Sequence, residues 1–187
     1  MNIYLDSEFT GLHRNTTLIS IGLVNENGDT FYAEFTDYDK SQVDEWIQKN
    51  VIDNLILSKW DTEKDYSPYE KHVTCKGRRY EVEQALSHWL FKHEPERIEI
   101  WSDVLAYDWM LFCDLWGGAF KIPPFINYIP FDLATLLKEK SIDPDINREK
   151  FAYGDQVPEG MLKHNALWDA KTIKACVEKA EKINNVK

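Results

Sequence analysis

Apolar-rich runs at residues 2–9, 17–25 and 30–36 have the length and composition of strands, and Asn27-Gly28 supplies a hairpin turn between the last two. An antiparallel meander is therefore expected to open the fold. From 41 to 57, Val43, Trp46, Ile47, Val51 and Leu55 recur at helical spacing behind Ser41, which predicts an amphipathic helix with a Ser cap. Residues 58–79 are polar and patternless, and a second amphipathic helix follows over 80–92. The run 98–101 reads as a buried strand, and a helix over 103–116 ends at Gly117-Gly118. That order suggests a parallel unit. Pro123-Pro124 breaks the chain, a short helix is expected over 132–140, and Asp143-Pro144 opens an irregular or briefly helical stretch. The last helix spans 165–182, with Leu167, Ala170, Ile173 and Val177 along one face.

This pattern contains no repeat, linker or low-complexity segment, and 187 residues with 43% hydrophobic and 13% aromatic content can bury one sizeable core. One domain over 1–187 is expected. No apolar run approaches the roughly 20 residues that cross a bilayer, and the start, MNIYLDSEF, is acidic where a signal peptide would be basic. A soluble, cytoplasmic protein with no membrane partner is the expectation. Cys75, Cys113 and Cys176 have no paired spacing and are expected to be free, buried thiols.

The charge balance narrows the class of partner. Thirty-two acidic against 22 basic residues give a net charge of −10, which disfavours capture of a long duplex polyanion and favours a small footprint. The densest basic cluster, Lys76, Gly77, Arg78 and Arg79, is the candidate phosphate contact, although charge alone more often marks a solvated loop with no partner.

Three acidic clusters carry candidate chemistry. Asp6 and Glu8 alternate with Leu5 and Ser7 on the first strand and so point to one side of it. Carboxylates this close repel one another unless a hard divalent cation or a proton compensates. An isolated D-x-E on a strand more often marks a solvent-facing edge. The second cluster lies near the expected mid-chain helix, where Asp103 and Asp108 compete, Asp103 also suiting a helix cap. The third is His164 with Asp169. On a continuous helix five residues subtend about 500°, so these side chains would diverge. With His164 on the preceding loop and Asp169 one turn inside, both can reach one centre.

The continuation of the first cluster, Asp6-Ser7-Glu8-Phe9-Thr10-Gly11-Leu12 followed by Leu18-Ile19-Ser20-Ile21-Gly22, resembles the first motif of the DEDDh 3′-5′ exonucleases. Tyr107-Asp108-Trp109-Met110-Leu111-Phe112 looks like their second motif, and His164-Asn165-Ala166-Leu167-Trp168-Asp169 like their third. Ser7 and Phe9 depart from the Thr common in the family at positions that are not its metal ligands. The likeness covers most of the chain, with 36–80 and 118–160 matching only in layout, and looks nearest to small bacterial and phage exoribonucleases.

The resemblance implies an α/β ribonuclease-H-like fold, an antiparallel meander continued by parallel strands in one mixed sheet flanked by helices. It implies that Asp6, Glu8, Asp108 and Asp169 hold two Mg2+ or Mn2+ ions, with His164 as general base. Two such ions about 3.5–4 Å apart can clamp the attacking and leaving oxygens of a phosphodiester. It places Phe9 and Leu12 against the terminal base and Thr10 on its ribose. Phe9 also suits plain core, and Trp46, Trp60 and Trp89 are assigned to packing. The expected activity is release of nucleoside 5′-monophosphates from the 3′ end of single-stranded RNA, in a homodimer whose 58–79 segment reaches the partner's site. A DNA exonuclease, or a silent nucleic-acid-binding module of the same fold, are the alternatives, and no residue is assigned to the 2′-hydroxyl that separates RNA from DNA.

Overall fold

A computed structural model describes residues 1–57, 71–92 and 97–183. Six strands form one sheet in the order β4-β3-β2-β1-β5-β6. The strands β1 (Asn2–Phe9), β2 (Leu18–Asn25) and β3 (Thr30–Phe35) make the antiparallel meander. Strand β4 (His72–Gly77) pairs parallel with β3. On the other side β5 (Glu99–Ser102) pairs parallel with β1, and β6 (Phe131–Asp132) with β5. Strand β1 is thus central, paired on both edges, and the expected mixed α/β architecture is present.

The alternation of β1 decides what each face carries. Ile3 and Leu5 enter the larger core with Val82, Leu86 and Trp89 of α2 (Arg79–Phe91) and Leu111 and Phe112 of α3 (Ala106–Asp114). Tyr4 enters the opposite core with Leu133 and Leu137 of α4 (Leu133–Glu139) and Ala170, Ile173 and Val177 of α6 (Ala166–Lys182). By the same period-two rule Asp6 and Glu8 continue the α6 face, and Ser7 and Phe9 the α3 face.

Two expected features differ. The predicted helix over 41–57 is instead a 3₁₀ turn at Lys40–Gln42, a short helix α1 (Glu45–Asn50) capped by Asp44, and a second 3₁₀ turn at Ile52–Asn54. The side chains of Asn50 and Asn54 bond back to the carbonyls of Trp46 and Asn50, competing with helix continuation. The supposedly patternless stretch before 79 contains β4. Its Lys76 contributes an ammonium to Glu34 at 2.8 Å, so a charged side chain sits within the sheet and hides the strand's signature. The stretch after Asp143 contains α5 (Arg148–Tyr153). Residues 58–70, with Trp60, lie outside the described residues.

All three cysteines are free, Cys113 and Cys176 buried and Cys75 half-buried. Among the described residues no helix is long and apolar enough to cross a membrane.

Candidate active site

The third motif is built on a close approach. Helix α6 starts against β2 at Gly22, where a Cβ would lie 2.3 Å from the carbonyl carbon and oxygen of Ala166. Only glycine allows that contact, which sets the first turn of α6 over the sheet beside β1. Asn165 caps the helix through Leu167 N–H at 3.2 Å, and its amide donates to Asn54 O and Tyr32 Oη. His164 precedes the cap with φ 61°, off the helix. Its N–H donates to Asp169 Oδ2 at 3.0 Å.

That turn brings ring and carboxylates together. Ligand atoms of Glu8, His164 and Asp169 lie within 4.8 Å of one another. Asp6 and Asp108 stand outside this trio but line the same cavity of about 620 Å³. The Asp108 carboxylate accepts from Ser7 N–H and Oγ–H on one oxygen and from Ser102 Oγ–H on the other. Strand β1 therefore faces α6 with Asp6 and Glu8 while its Ser7 orients the carboxylate of α3. Asp103 takes a different partner, the guanidinium of Arg148, at 2.6 and 3.0 Å.

Crowding of acids raises their proton affinity. Burial pushes Glu8 up to about 8, with Asp169 and Asp108 adding to it. Asp169 is pushed up to about 7, mainly by burial and against the His164 N–H. Burial raises Asp108 to about 6 despite its serine donors. Asp6 lies well above the carboxylate range, first by burial, then by Asp108 and Asp169. Buried acids that repel one another call for a compensating cation, and an all-oxygen set suits a hard divalent one. The residues present therefore fit a metal site. Burial, then the Lys163 ammonium, lower the His164 imidazole, which favours its neutral form.

Away from the acids, much of the cavity wall is apolar, with Phe9, Leu12, Trp46, Ile47, Val51 and Tyr107. Phe9 stacks on Tyr107 with ring centroids 5.3 Å apart, and Leu12 is 77% exposed at the rim. The turn between them needs glycine, since Gly11 has φ 145°. Trp46, expected in the packing, is 55% exposed and lines the cavity with its ring edge-on to His164 at 5.2 Å. Trp89 is fully buried in the core, as expected.

Residues 1–180 match the family described as the 3′-5′ exoribonuclease Rv2179c-like domain. The chain belongs to this family. The exonuclease is 27% identical over 140 residues to the 3′-5′ exoribonuclease Rv2179c of Mycobacterium tuberculosis (strain ATCC 25618 / H37Rv), covering 75% of this chain and 76% of that protein. The corresponding 3′-5′ exoribonuclease MT2234.1 of strain CDC 1551 / Oshkosh matches equally. In fold it is similar to a 3′-exonuclease solved in a study of 3′-end recognition of the histone mRNA stem-loop, with a TM-score of 0.66, 11% identity, and coverage of 98% of this chain and 82% of that one. The nuclease domain of 3′hExo, a DEDDh family member bound to rAMP, gives a TM-score of 0.53 at 14% identity, covering 98% and 92%.

Three residues expected at the substrate do not line the carboxylate cavity. Thr10 is buried, and its hydroxyl donates to Gln42 and accepts from Thr17 N–H, so it braces the loop instead of reaching the cavity. Arg78 and Arg79 start α2 and do not line the carboxylate cavity, with Arg79 paired to Asp114 at 2.8 Å. The basic cluster of the sequence is thus largely spent on structural contacts, Lys76 on Glu34 included. Sequence reasoning missed Ser7, Ser102, Tyr107 and Trp46. The signal for Ser7 was its place on the opposite face of β1 from Asp6 and Glu8.

Proposed function

We propose that this exonuclease domain removes nucleoside 5′-monophosphates from the 3′ end of single-stranded RNA with two Mg2+ or Mn2+ ions. The observation that carries this is the convergence of Asp6 and Glu8 from β1, Asp108 from α3 and Asp169 from α6 on one cavity beside His164. Support for RNA comes from the name of the family and from those of the mycobacterial relatives.

The four carboxylates would hold the ions, Ser7 and Ser102 fixing the Asp108 oxygens from behind. When bound, such ions polarise the scissile phosphate and offset the charge on attacking and leaving oxygens. Neutral His164 accepts the proton of the attacking water at a ring nitrogen. Phe9, Tyr107, Leu12 and Trp46 form an apolar slot that takes the terminal nucleoside and excludes water around it. Stacking on such rings tolerates any base. A homodimer is carried over from the family resemblance, and light scattering of the purified protein tests it.

Incubating 3′-labelled and 5′-labelled RNA and DNA oligonucleotides with the protein and manganese tests the function. A descending ladder from 5′-labelled RNA, with labelled mononucleotide from 3′-labelled RNA, is expected. Cleavage of DNA alone would replace the substrate. No cleavage, with the metal bound, would favour a silent module.

A further inference from the structure

A second cavity, of about 430 Å³, adjoins the first at the carboxylates. It shares Asp6, Asp103, His164 and Asp169 with the first, so the two form one trough that passes over the metal ligands. Their linings differ in kind. The first ends in Phe9, Leu12, Trp46 and Tyr107, whereas the second is walled by Asn147, Arg148, Lys163 and Thr172. In-line attack by water expels the 3′ oxygen of the strand while the phosphoryl group stays on the released nucleotide, so the departing strand needs a path of its own beside the nucleotide slot.

The two cations of the second cavity are in different states. Arg148 is spent: its Nε and Nη2 hold Asp103, and its Nη1 and Nη2 hold the carbonyls of Ile146 and Pro144. It makes a fixed wall that cancels the charge of Asp103. Lys163 is exposed, and its ammonium has no ion pair among the described residues. Its backbone is held, Asn54 Nδ2 donating to Lys163 O at 3.0 Å, so the side chain projects from an anchored position one residue before His164. It lines one cavity with Asp6, His164 and Asp169, which places it beside the ligands. Asp145 and Glu149 line the same cavity and repel phosphate, which leaves Lys163 as the side-chain cation there that can meet one.

We infer that this polar arm of the trough carries the departing strand, and that Lys163 binds the phosphodiester next to the scissile one, on its 5′ side. The inference rests on the exonuclease reading above. It makes Lys163 a substrate-binding residue for chain length: a substrate with no second phosphate gains nothing from it.

A charge-deletion cycle tests this. The substrates are a pentaribonucleotide and the same oligomer with one uncharged methylphosphonate at the linkage adjoining the scissile bond. The enzymes are wild type and Lys163→Gln, both assayed with manganese. A charge-assisted contact predicts that either single change lowers kcat/KM by roughly tenfold or more. Together they should cost no more than one alone. Additive losses, or a Lys163→Gln variant that cleaves the charged oligomer as well as wild type does, would overturn the inference. Unchanged thermal unfolding of Lys163→Gln shows that the loss is not one of folding. If wild type binds manganese but leaves the unmodified oligomer uncut, the exonuclease reading fails and Lys163 loses its role with it.

Discussion

The backbone N–H of His164 donates to the side chain of Asp169, Oδ2, at 3.0 Å, so the two ends of the third motif are tied to each other as well as to the site. The bond holds the turn with φ 61° at His164 and keeps the imidazole off the helix, above the carboxylates. His164→Ala should therefore leave the fold and metal binding intact, since the backbone donor remains. The chemical step should slow by about 10²-fold or more, the usual worth of a general base. Single-turnover kinetics alongside manganese titration check this, and an unfolded variant would mean that the ring serves packing instead.

Gly22 links the sheet to the same turn. Gly22→Ala places a methyl group 2.3 Å from the Ala166 backbone, which cannot yield as a flexible side chain would. Helix α6 must shift, carrying His164 and Asp169 with it. The expected cost is about 1–3 kcal/mol, typical of overpacking, with a loss of activity larger than that of a surface control. Denaturant unfolding and a cleavage assay, measured together, show whether both fall.

Most of the framework was legible in the sequence because its cores are simple. Tyr4 opposite Ile3 and Leu5 on β1, and Ala170, Ile173 and Val177 on α6, follow the periods of strand and helix without interruption. The short length of helix α1 was not legible because apolar spacing cannot show that Asn50 and Asn54 turn their amides onto the backbone. Strand β4 was hidden by Lys76, whose partner Glu34 lies 42 residues away in the chain. At the site, spacing identified the acids, but Ser7 and Ser102 as donors to Asp108 depend on strand and helix being packed together.

Trp46 gives a prediction that separates binding from chemistry. It lines the apolar slot and touches His164 only edge-on. If it covers the terminal base, Trp46→Ala should raise KM for an oligoribonucleotide by roughly 5- to 150-fold, matching about 1–3 kcal/mol of stacking. Steady-state kinetics with Trp89→Phe as a core control distinguishes this from a general loss of stability.

The raised proton affinities predict how stability depends on pH without metal. Glu8 at about 8 and Asp169 at about 7 hold protons in the folded state that the unfolded chain has already lost. Folded protein then binds more protons than unfolded across roughly pH 4–8, so stability falls as pH rises through that window. Metal-free wild type should lose melting temperature over this range more steeply than Glu8→Gln. Added manganese should restore more at pH 8 than at pH 5. Differential scanning calorimetry at both pH values measures the effect, and equal slopes for the two proteins would contradict it.

The central claim is that side chains from β1, α3 and α6 form one metal centre. Calorimetric titration of Mn2+ into metal-free protein at pH 8 tests it most directly, comparing wild type with Asp6→Asn and Asp169→Asn. Saturable binding by wild type, lost or strongly weakened in both folded variants, is the predicted result. Binding that survives both substitutions unchanged, or no binding by wild type at millimolar metal, would contradict the account.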